Sequence, residues 1–132
     1  MQVEALKSII VDALEEIKAQ DIVVLDVRKL TPLFDYMIVA SAESGRQAKA
    51  LARNVHDRVK AGGGEVLGSE GEESGEWVLV DLGDIVVHIM QPAVREYYNL
   101  EQLWGGKVPS RVVPLRRPGE PWSPEPGDEA RP

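Results

Sequence analysis

The sequence has no cysteine, so disulfides and thiolate chemistry are excluded outright. That absence fits a cytoplasmic protein, in a compartment where disulfides carry little structure. Histidine is nearly absent too. His56 and His88 are the only two, and neither has a His or Cys neighbour at metal-ligand spacing, so no metal site is expected. No G-x-S-x-G nucleophile turn, no G-x-x-x-x-G-K-[ST] loop and no G-x-G-x-x-G fingerprint occurs. The glycine run Gly62-Gly63-Gly64 closes a helical pattern instead of opening one, and no cofactor is implied. No apolar run approaches the ~20 residues that span a bilayer. The start, MQVEALKSIIVDALEE, mixes acids among its apolar residues, which argues against a secretory signal. Positive charge is in deficit: 15 Lys and Arg face 22 Asp and Glu, a net charge of −7. Such a chain does not coat nucleic acid by overall charge, although a local basic patch remains open.

What is present is globular. The 132 residues are 43% hydrophobic and 28% charged, enough for one domain with a modest core. Val3, Leu6, Ile10, Ala13, Leu14 and Ile17 recur at three- and four-residue steps and predict an amphipathic helix over residues 2–19. The β-branched run 22–27 predicts a strand, Thr31-Pro32 breaks regular structure, and 36–40 predicts a second strand. Ser44 followed by Gln47 forms a capping box at the start of a second helix, which ends at the glycine run. Ala48, Leu51, Ala52, Val55 and Val59 fall on one side of it. Arg46, Lys49, Arg53 and Lys60 fall in a narrow opposite arc that also holds His56. A third strand is expected over 65–67, then a polar acidic loop over 68–75.

The hairpin that follows is the most informative stretch. Gly83-Asp84 suits a two-residue type II′ turn, because Gly accepts the positive φ of its first position. The register then pairs Leu82 with Ile85, Val80 with Val87 and Val78 with Ile89 on one aliphatic face. The other face pairs Asp81 with Val86, Leu79 with His88 and Trp77 with Met90. A ring, a thioether, an imidazole and a carboxylate together are unusual for a core and common at a contact surface. The competing reading is that helices cover this face and make Trp77 and Met90 ordinary core. After the hairpin, 93–98 and 100–104 read as helical turns. Seven prolines between 109 and 132 make 107–132 an extended, disordered tail, which leaves one domain over 1–106. The element order α-β-β-α-β-β-β-α gives an α/β fold, a mixed sheet with helices packed on it. The strands before and after the capping-box helix suit a parallel βαβ unit.

Candidate chemistry is sparse. Asp81 and Asp84 are close in sequence, but an Asp in a turn is a common structural choice. Ser41 and Ser44 lie near Asp35, and capping accounts for Ser44. No catalytic residue is assigned. The basic arc of Arg46, Lys49, Arg53 and Lys60 is either a solvated helix face or a contact for phosphate or an acidic patch.

The residues W-V-L-V-D-L-G-D-I-V-V-H-I-M from Trp77 to Met90, then R-E-Y-Y-N-L-E-Q-L-W from Arg95 to Trp104, closely resemble the ribosomal silencing factor (Iojap-like) family. Asp35-Tyr36, Ser41, Ser44 with Arg46-Gln47, and Glu70-Gly71 match its other blocks, so the resemblance covers about 3–105. Gly45 is a departure, where many relatives carry a larger polar residue. The resemblance implies a nucleotidyltransferase-like α/β fold without catalytic activity: no Gly-Ser block followed by Asp-x-Asp is present. It implies binding to the large ribosomal subunit through ribosomal protein L14, occlusion of the small subunit, and lower translation when nutrients are scarce. Relatives often form homodimers. On this basis Trp77, Leu79, Asp81, His88 and Met90 are expected in or beside the protein contact, flanked by Pro92, Tyr97 and Tyr98. Alternatives are an RNA-contacting ribosome assembly factor using the basic arc, with a minor ribosomal RNA contact, or a residual nucleotidyltransferase using Asp81 and Asp84.

Overall fold

The computed structural model describes residues 1–105, with side chains through 102. The expected tail over 107–132 and the Trp104 side chain lie outside the described residues. In chain order the elements are α1 (Val3–Glu16), β1 (Gln20–Asp26), β2 (Tyr36–Ser41), α2 (Gly45–Ala61), β3 (Gly68–Glu70), β4 (Trp77–Asp81), β5 (Ile85–Met90), α3 (Pro92–Tyr98) and α4 (Leu100–Gly105).

The strands form one mixed sheet in the order β1-β2-β5-β4-β3. The β2–β5 pair is parallel, and the other neighbours are antiparallel. β2 sits inside the sheet and is buried along its whole length, which explains why YMIVAS reads as a near-continuous apolar run. The parallel pair joins β2 to β5 and not to the strand that follows α2. β3 runs in the same direction as β2, but β5 and β4 lie between them.

α1 and α2 cover one face. Leu6, Ile10, Ala13 and Leu14 from α1 meet Ala48, Leu51, Val55 and Val59 from α2 over Ile38, Ala40, Val78, Val80, Val87 and Ile89. The spacing of these residues on each helix is what turns one stripe inward. Ser44 caps α2, its Oγ accepting the Gln47 N–H at 3.1 Å. The reciprocal bond differs from the simple capping box. Gln47 Oε1 accepts the N–H of Glu43 at 2.7 Å, and its amide donates to the Ile17 and Lys18 carbonyls at 3.0 and 3.1 Å. Gln47 thus ties the start of α2 to the end of α1. The far end of α2 closes with Gly63 at φ +94°. Gly64 N–H bonds the Val59 carbonyl at 2.9 Å and Gly63 N–H the Lys60 carbonyl at 3.1 Å, the two bonds of a Schellman cap.

The hairpin has the expected register, from Trp77 with Met90 to Asp81 with Val86. Gly83 takes φ +87°, and Leu82 N–H bonds the Ile85 carbonyl at 2.9 Å. The third strand is displaced from 65–67 to Gly68–Glu70, inside the segment expected to be loop. Among the described residues it pairs only with β4, and it is exposed throughout. At a sheet edge the ladder with Leu79, Val80 and Asp81 defines a strand, so polar residues serve and hydrophobicity gives no signal. The strand is followed by Gly71, at φ +88°, where a Cβ would sit 2.0 Å from the Trp77 carbonyl oxygen.

Candidate functional site

The second face of the sheet is covered unevenly. Over β1 and β2 it is core: Val23, Leu25, Met37 and Val39 are fully or nearly fully buried, packed with Met90 and Leu100. Over β5 and β4 it is more open. Trp77, Leu79, Asp81, Val86 and His88 are half-buried. Covering helices therefore do account for part of this face, and Met90 is the correction they force. It has no accessible surface and packs within the second cluster, against which Trp77 rests, so it lies beneath the open face and does not line it.

The aromatic side chains form a row. Trp77 donates its indole N–H to Nδ1 of His88 at 3.0 Å, with ring centroids 5.9 Å apart. On its other side Trp77 lies 4.8 Å from the Tyr98 ring, and Tyr98 meets Tyr97 edge-on at 4.9 Å. Tilted and edge-on contacts of this kind avoid the unfavourable face-to-face sandwich and hold the row in place. Tyr97 is 66% exposed and Tyr98 49%, an unusual amount of aromatic surface to leave in water. Burial pushes the His88 imidazole down to about 4, so it is neutral near pH 7. Because Nδ1 accepts from Trp77, the neutral ring carries its proton on Nε2, as a donor.

Asp81 completes the face. One carboxylate oxygen accepts the N–H of Gly83 at 2.9 Å and pins the turn. The other has no partner among the described residues and is free to meet a cation. Asp84 is exposed, and its backbone carbonyl accepts the N–H groups of Asp35 and Tyr36 at 2.7 and 3.2 Å. The Asp81 carboxylate thus has a structural task at the turn, while Asp84 contributes its backbone carbonyl. Among the described residues no group of three or more His, Cys, Asp or Glu side chains is placed to hold a metal ion.

Pro92 begins α3 and is exposed. The two tyrosines are positioned by a group that sequence reasoning did not single out. Arg95, 1% exposed, donates from Nη1 to Ser41 Oγ at 2.8 Å and from Nη2 and Nε to Glu101 Oε2 at 3.0 and 3.3 Å. This buried guanidinium bolts α3 and α4 to the end of β2. Asn99, in the left-handed region at φ 49°, makes the corner between the two helices. The only available signal was the arginine and glutamate inside R-E-Y-Y-N-L-E, where nothing in the spacing announces burial. The basic residues Arg46, Lys49, Arg53 and Lys60 are all exposed on α2 and are not brought into the aromatic row.

An open half-face with a fixed aromatic row and a spare carboxylate oxygen offers contact, and the fold and face together define an α/β recognition module. Comparison gives that module a family. The model for "Ribosomal silencing factor during starvation" matches residues 1–130, past the last motif at Trp104. The ribosomal silencing factor RsfS of Chromobacterium violaceum is 53% identical over 123 residues, 93% of this chain and 98% of that one. RsfS of Bacillus subtilis is 38% identical over 105 residues, 80% of this chain and 89% of its own. A crystal structure of a C. violaceum protein, 53% identical, superposes with a TM-score of 0.79 over 89% of this chain and 98% of that one. The chain belongs to the ribosomal silencing factor family.

Proposed function

We propose that this protein binds the large ribosomal subunit through ribosomal protein L14 and blocks joining of the small subunit, lowering protein synthesis under nutrient limitation. The observation that carries the reading is the row His88–Trp77–Tyr98, held open beside Asp81 on the β4–β5 half of the sheet. Trp77 is the anchor, as half-buried aromatic rings are at the centres of interfaces. Leu79 and Val86 supply the apolar floor, and Pro92 and Tyr97 the rim. His88 Nε2–H and Asp81 supply polar contacts, and Asp81 meets a basic residue of the partner. An acidic protein that recognises a ribosomal protein avoids indiscriminate attachment to RNA.

Occlusion needs no bond-making, and members of this family are not enzymes. The protein acts in the cytoplasm and forms a homodimer when free. Among the described residues no helix is long and apolar enough to cross a membrane. Sedimentation of purified subunits tests the reading. Excess protein is expected to shift joined particles to separate subunits; undiminished joining would refute it.

A further inference from the structure

The α2 helix is gripped on one flank only. Gln47 and Asn54 donate to backbone carbonyls at the end of α1, Asn54 reaching Ala13 at 2.8 Å, and Arg58 pairs with Glu16. At 3.6 residues per turn these three side chains lie on one line, and the buried stripe of Ala48, Leu51, Val55 and Val59 lies next to it. The remaining flank, turned away from α1, carries Arg46, Lys49, Arg53 and Lys60. It faces the β3 edge of the sheet. There Lys49, Arg53 and His56 form one wall of a cleft of about 470 Å³, with Ser69 of β3 and Glu72 on the other.

These cations are distinguished by being unspent. Lys7 pairs with Glu4 at 2.8 Å, Arg28 with Asp26 at 2.5 Å and Arg95 with Glu101 at 3.0 Å. Arg46, Lys49, Arg53 and Lys60 make no ion pair among the described residues, in a chain of net charge −7. Lys18 and Lys29 are also unpaired, but each stands alone in a connecting segment. The cleft also holds two carboxylates, which leave its basic wall on the α2 side: Asp57 lies 3.5 Å from the His56 ring, and Glu72 accepts the Ser69 hydroxyl at 2.9 Å. From Arg46 to Lys60 the row extends roughly 21 Å along the helix, the length of several consecutive phosphates.

We propose that this flank of α2 seats the phosphate backbone of a ribosomal RNA strand at the rim of the protein contact. The inference rests on the proposed docking of the aromatic face on the large subunit. It adds a second element to that docking, reached around the free edge of β3, since α2 and the β4 residues Trp77, Leu79 and Asp81 flank that edge. A backbone contact is favoured over an acidic peptide because the four cations are spread along roughly 21 Å of one helix flank, as successive phosphates are, while the apolar lining of the cleft beside them is limited to Ala52 and Val80. Phosphate contacts position a partner without reading its sequence.

The test compares wild type with Lys49→Ala/Arg53→Ala in binding to purified large subunits and to isolated L14, each across a salt series. Both substitutions are at exposed positions, and matching thermal unfolding curves verify folding. For the large subunit, the slope of log K against log salt is expected to fall in magnitude by about 1.4 to 1.8, two phosphate contacts' worth. Binding to isolated L14 is expected to be unchanged. An unchanged slope on the large subunit, with L14 still bound, overturns this inference and leaves the docking intact. An equal loss on isolated L14 also overturns it, by placing the flank against protein. A wild type that binds neither overturns the parent reading and this one with it.

Discussion

Replacing Arg95 with methionine removes a buried cation that joins three elements. Arg95 is 1% exposed, and its three hydrogen bonds to Ser41 and Glu101 are all internal. The variant keeps most of the side-chain volume, so the loss is electrostatic. It leaves the Glu101 carboxylate, itself nearly buried, without its counter-charge. Breaking a buried pair from one side costs about 3–5 kcal/mol. Against a total stability of roughly 5–15 kcal/mol, that is a large fraction. Urea unfolding should show the midpoint fall with little change in slope. The double variant Arg95→Met/Glu101→Met replaces both charges with apolar groups and should recover most of the loss. Binding discriminates further. The single variant should weaken partner binding even where it is folded, because Tyr97 and Tyr98 lose their mounting. A single variant within about 1 kcal/mol of wild type would refute the idea that this guanidinium organises α3 and α4.

Lowering the pH should destabilise the fold through His88. Its folded value, about 4, lies below the ordinary 6.5, so the unfolded chain binds the extra proton first and stability falls as pH drops through that window. The slope approaches roughly 1 kcal/mol per pH unit. Urea melts of wild type and His88→Phe between pH 6.5 and 5.5 isolate it, and parallel curves would contradict the assignment. Asp81→Asn keeps an oxygen for the Gly83 N–H but removes the charge. It should leave stability within about 0.5 kcal/mol of wild type while weakening partner binding, whereas Asp81→Ala should also lose about 1 kcal/mol of stability with the turn bond. Chemical denaturation and calorimetry separate the two effects.

The hairpin was legible because alternation has a fixed period and Gly83 fixes the turn, so every pair from Trp77–Met90 to Asp81–Val86 follows. The two long helices were legible from their apolar spacing and caps. β3 was not, because an exposed edge strand of Gly68, Ser69 and Glu70 carries no hydrophobic signal. The partner of β2 was not, because local sequence says nothing about which strands adjoin across a sheet. On the candidate face, Trp77, Leu79, Asp81 and His88 lie where alternation puts them. Met90 has the same parity but sits beside the α3–α4 cover, and parity does not report what lies above a strand. The Trp77–His88 bond and the burial of Arg95 are tertiary facts that depend on how α3 returns over the sheet.

The His88–Trp77–Tyr98 row is proposed as the partner contact. Calorimetric titration of isolated L14 with wild type, Tyr98→Ala and Trp77→Ala tests it most directly, with circular dichroism checking that each variant is folded. Tyr98 is 49% exposed, so its truncation should leave the fold intact and still weaken binding. Folded Trp77→Ala should lose about 2 kcal/mol or more of binding, roughly thirtyfold. Folded variants that bind L14 as tightly as wild type would contradict the account.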